Sequence, residues 1–85
     1  MKLLTTKPFE EDYAALPETI KNLTNCKLAL FLQNPRHPSL RIKKMENPRE
    51  IWEGRITKSY RFTFQVSGDT YLLRRIGAHD NLRTP

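Results

Sequence analysis

The spacing of apolar residues changes about halfway along the chain, from the period of a helix to the period of a strand. In the first half, Phe9, Tyr13 and Leu16 recur three or four residues apart, as on one face of a helix. Pro17 ends this helix and can also open the next one. The pattern therefore predicts a short first strand at residues 2–6, followed by two consecutive helices.

The second predicted helix runs as far as Asn34-Pro35, where the proline closes it. Its apolar residues define a stripe that we expect to face the core. The predicted stripe comprises Ile20, Leu23, Cys26, Leu30 and Phe31.

Strict alternation in the second half predicts a hairpin. In "SYRFTFQV" the aromatic and aliphatic residues fall on one face and Arg61, Thr63 and Gln65 on the other. The turn "SGDT" then leads into a returning strand, "TYLLRRIG". With a two-residue loop, three pairs are predicted: Phe64 with Leu73, Thr63 with Arg74, and Arg61 with Ile76. Arg61 and Arg74 would then be diagonal neighbours on the open face, while Phe62, Phe64 and Leu73 pack under the helices.

Two further segments complete the predicted sheet. "EIWEGRIT" is a strand candidate, and the proline-rich "NPRHPSLRIKKMENP" is expected to form a loop or an irregular edge strand. Together the elements predict an α+β fold with two N-terminal helices packed on one face of a small twisted antiparallel sheet. Residues 1–85 are expected to form a single domain.

The net charge of +6 is concentrated in the second half of the chain. Residues 36–61 carry eight basic and three acidic side chains, so a polyanion or an acidic partner is expected to bind there. The alternative to such a partner is that the basic residues only keep the protein soluble. Zinc spacings are absent, so no metal is predicted. The sequence has neither a membrane-length apolar stretch nor the apolar centre of a signal peptide, which favours a cytoplasmic protein.

Four stretches carry a resemblance to a known family. They are "HPSL", "WEGRIT", "SYRFTFQV" and the strand end "RRIGAHDNL". In their order and spacing, the chain resembles the RelE/ParE superfamily of bacterial toxins from toxin–antitoxin pairs over essentially its whole length. The resemblance implies the RelE-like microbial RNase fold.

The resemblance also implies an activity and partners. RelE-, YoeB- and YafQ-type members are endoribonucleases that cut mRNA in the ribosomal A site, without a metal or cofactor, by attack of a ribose 2′-hydroxyl on the adjacent phosphate. The implied partners are an acidic antitoxin, in a toxin–antitoxin heterotetramer, and the ribosome with its mRNA. Non-catalytic relatives leave an alternative open, either a ParE-like gyrase inhibitor or a decayed toxin. A generic RNA-binding module is a third interpretation.

By resemblance, four residues are candidates for the catalytic roles. His79 would be the general acid and His37 the general base, while Arg61 would grip the phosphate and Arg55 would stabilise its pentacovalent form. The alternatives are a solvated histidine at a strand end, an ordinary loop histidine, and arginines held in a salt bridge with Glu53.

Further basic residues are candidates for holding the RNA backbone without reading its sequence. They are Arg41, Lys43, Lys44, Arg74 and Arg83. Arg83 departs from the family pattern, because several active members carry an aromatic residue there. Trp52 could stack on a base, although a single tryptophan in a strand is more commonly part of the core.

Overall fold

The computed structural model describes residues 1–46 and 49–78 of the chain. Two helices and a short 3₁₀ helix accompany one five-stranded sheet, whose strand order is β1-β5-β4-β3-β2. The helices are α1 (Lys7–Ala14) and α2 (Glu18–Gln33), and the 3₁₀ helix is Pro38–Leu40. The strands are β1 (Lys2–Thr5), β2 (Lys43–Lys44), β3 (Trp52–Arg55), β4 (Tyr60–Ser67) and β5 (Thr70–Ala78). None of the helices in this part of the chain is long and apolar enough to cross a membrane.

The predicted α+β class is confirmed, with one difference in the sheet. β3, β4 and β5 are antiparallel neighbours, as predicted, but β1 pairs with β5 in parallel. The sheet is therefore mixed. The difference arises because β1 pairs with the edge of β5 that β4 leaves free, and β1 and β5 run in the same direction there.

Thr6 fixes the junction between β1 and α1. Its hydroxyl accepts from the Phe9 backbone N–H at 3.3 Å and caps the helix. The same Oγ1 lies 3.0 Å from the carbonyl oxygens of Leu73 and Arg74, to which it donates. One side chain thus orders the start of α1 and ties it to β5.

Asp12 of α1 occupies the edge of β5 beyond the end of β1. Its Oδ2 accepts from the Ile76 backbone N–H at 3.2 Å, replacing the strand partner that is missing there. The same carboxylate binds Arg75 through two bonds, Nε to Oδ2 at 2.6 Å and Nη2 to Oδ1 at 3.1 Å. This hydrogen bonding raises the pKa of Arg75 above its ordinary value. α1 is therefore anchored to the final strand by charge as well as by packing.

The core forms between the helices and one face of the sheet. Phe62, Phe64 and Leu73 are buried there with Phe9, as predicted. Phe31 of α2 is fully buried at the centre, and its ring lies 5.4, 4.8 and 4.3 Å from the rings of Phe62, Phe64 and Tyr71, respectively.

The predicted stripe of α2 is partly wrong. Cys26, expected in the core, is exposed, and so is Leu23. The buried position between Ile20 and Phe31 is Thr24, whose hydroxyl donates to the Ile20 carbonyl at 2.7 Å. Because that bond satisfies the hydroxyl within the helix, a polar residue can occupy the core face at little cost.

The predicted hairpin register is correct on one side of a bulge and wrong on the other. Phe64 pairs with Leu73 as predicted, but Thr63 pairs with Arg75 and Arg61 with Gly77. The shift falls between Thr63 and Phe64, so Arg74 is an additional residue in β5. Arg74 Nη1 donates to Gln65 Oε1 at 2.9 Å, instead of lying beside Arg61 as predicted.

Gly54 in β3 leaves the space in which the ring of Phe62 lies. The two residues are cross-strand partners, and a Cβ on Gly54 would overlap the edge of the fully buried ring. We expect Gly54→Ala to lower the free energy of unfolding by about 1–3 kcal/mol, since the packed core cannot yield to the added methyl group. Urea denaturation measures this change.

The matched control is Gly68→Asn. Gly68 has a φ of 59° in the hairpin turn, and a Cβ there would meet nothing within 4 Å. Because asparagine tolerates left-handed backbone, this variant should lose much less stability. Equal urea denaturation midpoints for the Gly54→Ala variant and the parent protein would contradict the role given to Gly54.

Candidate active site

Glu53 and Arg61 form an ion pair on the open face of the sheet, the face opposite the helices. Side chains alternate along β3, so Glu53 and Arg55 project away from the core side toward which a Cβ on Gly54 would point. Arg61 Nε lies 3.2 Å from Glu53 Oε1, and its Nη1 donates to the carbonyls of Thr57 and Lys58, both at 2.6 Å. The two side chains are only 13% and 9% exposed, so the guanidinium is held rigidly.

Arg55 lies opposite Arg61 on the neighbouring strand. Its Nε is buried and has no hydrogen-bond partner within residues 1–46 and 49–78. A buried donor without an acceptor is costly, so this guanidinium is held in a place where added negative charge would be stabilising. Arg55, Arg61 and Glu53 together form a group with one net positive charge, which we call the arginine pair site.

The last strand ends beside this group. Gly77 is paired with Arg61, and Ala78 with Tyr60. A cleft of about 260 Å³ lies between this strand end and the helix layer, lined by Tyr60 and residues 75–78 and, from the helix side, by Asp12 and residues 15–17. None of the three residues of the arginine pair site lines it. His79 follows directly in the sequence but, like Arg83, lies outside the described residues.

His37 is held by the loop that precedes β2. Its Nδ1 accepts from the Ser39 backbone N–H at 3.2 Å and lies 2.9 Å from Ser39 Oγ. Lys27 Nζ of α2 donates to the same Oγ at 3.1 Å. These contacts tie His37 to the helix layer, whereas the arginine pair site lies on the opposite face of the sheet.

The other predicted cations are spread over several elements. Arg41 is exposed beside His37, and Lys43 and Lys44 form the exposed edge strand β2. Lys44 lies 3.6 Å from Glu50 in an exposed ion pair. The side chains that the structure brings together are therefore fewer than those predicted.

Trp52 is partly buried against the core, and its ring stacks on that of Phe64 with centroids 6.4 Å apart. This packing supports the interpretation of Trp52 as a core residue. Among the described residues, no group of three or more His, Cys, Asp or Glu side chains could hold a metal ion.

Two polar partners of the candidate residues, Ser39 and Lys27, were not predicted from the sequence. Glu53 was expected only as a salt-bridge partner of Arg55 or Arg61 and not as part of a site, although its position two residues before Arg55 puts both on one face of β3. Neither Ser39 nor Lys27 was a candidate site residue. Their contact with His37 joins α2 to a loop about a dozen residues later, and no local pattern indicates such a contact.

Breaking the Glu53–Arg61 pair should destabilise the protein. We expect Glu53→Gln to lower the free energy of unfolding by about 2–3 kcal/mol, because a largely buried guanidinium loses its counter-charge. Glu50→Gln is the control, since the Lys44–Glu50 pair is exposed and should contribute only about 0–1 kcal/mol. Chemical denaturation of both variants measures the difference, and equal losses would contradict the assignment.

No protein-family model and no curated protein matches this chain. Solved structures do match it. YafQ from E. coli BL21(DE3) superposes with a TM-score of 0.80 at 11% identity, covering 96% of this chain and 97% of that one. A YoeB/ParE toxin from Agrobacterium tumefaciens gives 0.77 at 21% identity, covering 93% and 99%.

Complexes with antitoxins are also among the similar structures. The archaeal RelE–RelB complex from Pyrococcus horikoshii matches with a TM-score of 0.75 at 12% identity, over 94% of this chain and 96% of that one. The E. coli DinJ–YafQ toxin–antitoxin complex gives 0.80 at 10% identity, over 96% of each chain. The chain thus has the fold of RelE/ParE toxins, which confirms the fold that the sequence resemblance implied.

Proposed function

We propose that this protein is the toxin of a toxin–antitoxin pair and acts as a ribosome-dependent mRNA endonuclease. The observation that carries the proposal is the arginine pair site, in which a buried, unpartnered Arg55 Nε lies on the open face near the end of β5. The fold shared with the toxins supports it. Because its targets would be ribosomes and their mRNA, we place the protein in the cytoplasm.

The proposed reaction needs no metal or cofactor. The 2′-oxygen forms a bond to the adjacent phosphorus and loses its proton to a base, while the bond from phosphorus to the 5′-oxygen breaks. An acid protonates the leaving 5′-oxygen, which yields a cyclic 2′,3′-phosphate and a free 5′-hydroxyl. Cations stabilise the additional negative charge on the pentacovalent phosphorus.

We assign the acid and cation roles as the sequence suggested. His79 would donate the proton to the 5′-oxygen, because imidazole exchanges protons near neutral pH. Arg55, whose side chain is partly exposed, would bind a phosphate oxygen through its guanidinium. Arg61, whose Nε and Nη1 already have partners, would add its charge and fix Glu53.

For the base, we propose a residue other than the one predicted from the sequence. His37, the predicted base, has its Nδ1 engaged by Ser39. Glu53 is a carboxylate on the same face as Arg55 and in contact with Arg61, and a carboxylate can accept the 2′-hydroxyl proton. We therefore assign the base role to Glu53.

An acidic antitoxin would neutralise the toxin by covering its basic residues. The second half of the chain carries most of the net charge of +6, and the exposed strand β2 consists of two lysines. An acidic segment that orders on this surface would mask both charge and active site. The proposed assembly is a heterotetramer of two toxins and two antitoxins.

Primer extension on a translated message tests the proposal. After induction of the protein, discrete cuts at A-site codons are expected, and co-expression of the acidic protein encoded next to it should abolish them. A Glu53→Gln, Arg55→Ala double variant serves as the inactive control. Intact message accompanied by damaged DNA would instead identify a gyrase inhibitor.

A further inference from the structure

The end of β5 is held on both sides by side chains and not only by neighbouring strands. On the β4 side, the Arg75 backbone N–H donates to the hydroxyl of Thr63 at 3.1 Å, directly after the bulge. On the other side, β1 pairs with β5 only as far as Leu73. The residues of β5 beyond the bulge therefore depend on contacts from other parts of the fold.

Asp12 of α1 supplies such contacts at the edge that β1 leaves free. Its Oδ2 accepts from the Ile76 N–H at 3.2 Å, and the carboxylate binds the Arg75 guanidinium through two further bonds. Successive N–H groups of a strand point to opposite edges, so the Ile76 N–H faces away from β4 while the Gly77 N–H faces it. Asp12 thus takes the place of a strand partner for the end of β5.

The contacts of Asp12 are partly shielded from water. The side chains of Asp12 and Arg75 are 20% and 35% exposed, and two bonds between one carboxylate and one guanidinium fix their relative orientation as well as their distance. The helix that carries Asp12 is itself tied to β5 through Thr6. A carboxylate on a fixed helix therefore sets the position of β5 beyond the bulge.

The strand end that Asp12 holds forms one side of the arginine pair site. Gly77 is the cross-strand partner of Arg61, and neighbouring strands lie about 4.8 Å apart. His79, the proposed acid, is two residues after Gly77 in the sequence. Asp12 itself lines the cleft on the helix side, which no residue of the arginine pair site lines. An effect of Asp12 on the site must therefore pass through β5.

We infer that Asp12 is a positioning residue for the proposed reaction, because it holds the end of β5 beside Arg61 from the helix layer. Without its carboxylate, the Ile76 N–H loses its acceptor and Arg75 loses its counter-charge. Residues 76–78 then open more often, although the Ile76 side chain, which is 2% exposed, keeps the closed state in the majority. The inference rests on the proposed function for the reaction that this geometry serves, whereas the anchoring of the strand does not depend on any activity.

Hydrogen exchange of backbone amides, followed by nuclear magnetic resonance, tests the anchoring. Asp12→Ala should increase the exchange rate of the Gly77 amide by about tenfold to a hundredfold, the usual effect of losing hydrogen bonds to a charged group. The amides of residues 71–73, where β5 is paired on both sides, should follow only the global stability. Glu11→Ala removes the exposed neighbouring carboxylate and should leave the Gly77 amide within about threefold of the parent rate. In Asp12→Ala, an equal change at Gly77 and at residues 71–73 would overturn the inference.

Single-turnover cleavage on programmed ribosomes tests the consequence for the site. Asp12→Ala should lower the maximal rate by about tenfold to a hundredfold, since small displacements of reacting groups are costly. The ribosome concentration that gives half of this rate should change by less than about threefold, because every lysine and arginine remains. Asp12→Asn keeps an acceptor for the Ile76 N–H, so its maximal rate and its Gly77 exchange should recover to within about fivefold of the parent.

Leu28→Ala is the control for lost stability. Leu28 of α2 packs against the core in the helix layer, and both assays are run at a temperature at which urea denaturation shows every variant to be folded. The maximal rate of this control should equal that of the parent. A parental maximal rate in Asp12→Ala, despite faster exchange at Gly77, would overturn the positioning role. A parent protein that leaves mRNA intact would refute the proposed function, and the exchange rates alone would then decide whether Asp12 holds the strand.

Discussion

Replacing His79 with alanine is expected to reduce mRNA cleavage by about 10²–10⁴-fold, the usual contribution of a general acid. His79 follows Ala78, the last described residue of β5, and it receives this role from the resemblance of the strand end to the family. The loss should appear in the rate of the chemical step, measured by single-turnover cleavage on programmed ribosomes. Affinity for the ribosome should change little, because the substitution leaves every lysine and arginine of the chain in place.

Lys44→Ala is the matched control for binding. Lys44 is exposed on β2, and we expect it to contact RNA backbone through charge alone. Its effect should be mild and should decrease as salt concentration rises, whereas the effect of His79→Ala should not depend on salt. Cleavage by the His79→Ala variant at the parental rate would remove His79 from the mechanism.

Phe31→Ala is expected to lower the free energy of unfolding by about 3–5 kcal/mol. Phe31 is fully buried and its ring contacts Phe62, Phe64 and Tyr71, so truncation leaves a cavity between the helix and the sheet. Since small domains are stable by only about 5–15 kcal/mol, much of the folded population could be lost at 37 °C.

Leu32→Ala provides the comparison for Phe31→Ala. Leu32 is the next residue of α2 and is 40% exposed, so its truncation should cost less than about 1 kcal/mol. Urea denaturation of the two variants at equal concentration measures the contrast. A Phe31→Ala protein as stable as the Leu32→Ala protein would mean that Phe31 does not join α2 to the sheet.

The hairpin shows how far alternation predicts structure. Apolar and polar residues alternate along β4, and this alternation correctly predicted that Phe62 and Phe64 are buried, because one face of the strand must pack in the core. It could not locate the bulge, since Arg74 and Arg75 are chemically identical and either can be the additional residue. The choice depends on Asp12, which binds Arg75 and the Ile76 N–H from another element.

Which residues of α2 face the core was also ambiguous from the sequence. Apolar residues surround this helix on several sides, so Leu23 and Thr24 are both compatible with a helical period. Packing against the sheet selects Thr24. In the candidate site, alternation placed Arg61 on the open face and the family resemblance indicated Arg55, but the contact of His37 with α2 is tertiary and has no signature in the local sequence.

The parallel pairing of β1 with β5 governs when a newly made chain can fold. Within residues 1–46 and 49–78, β5 follows every other strand along the sequence, yet in the sheet it lies between β1 and β4. Thr6 finds its carbonyl partner on Leu73, 67 residues later. Such distant contacts form slowly and only after both segments have left the ribosome. Chains truncated before residue 70 lack β5, which joins β1 to β4, so we expect them not to form the complete sheet.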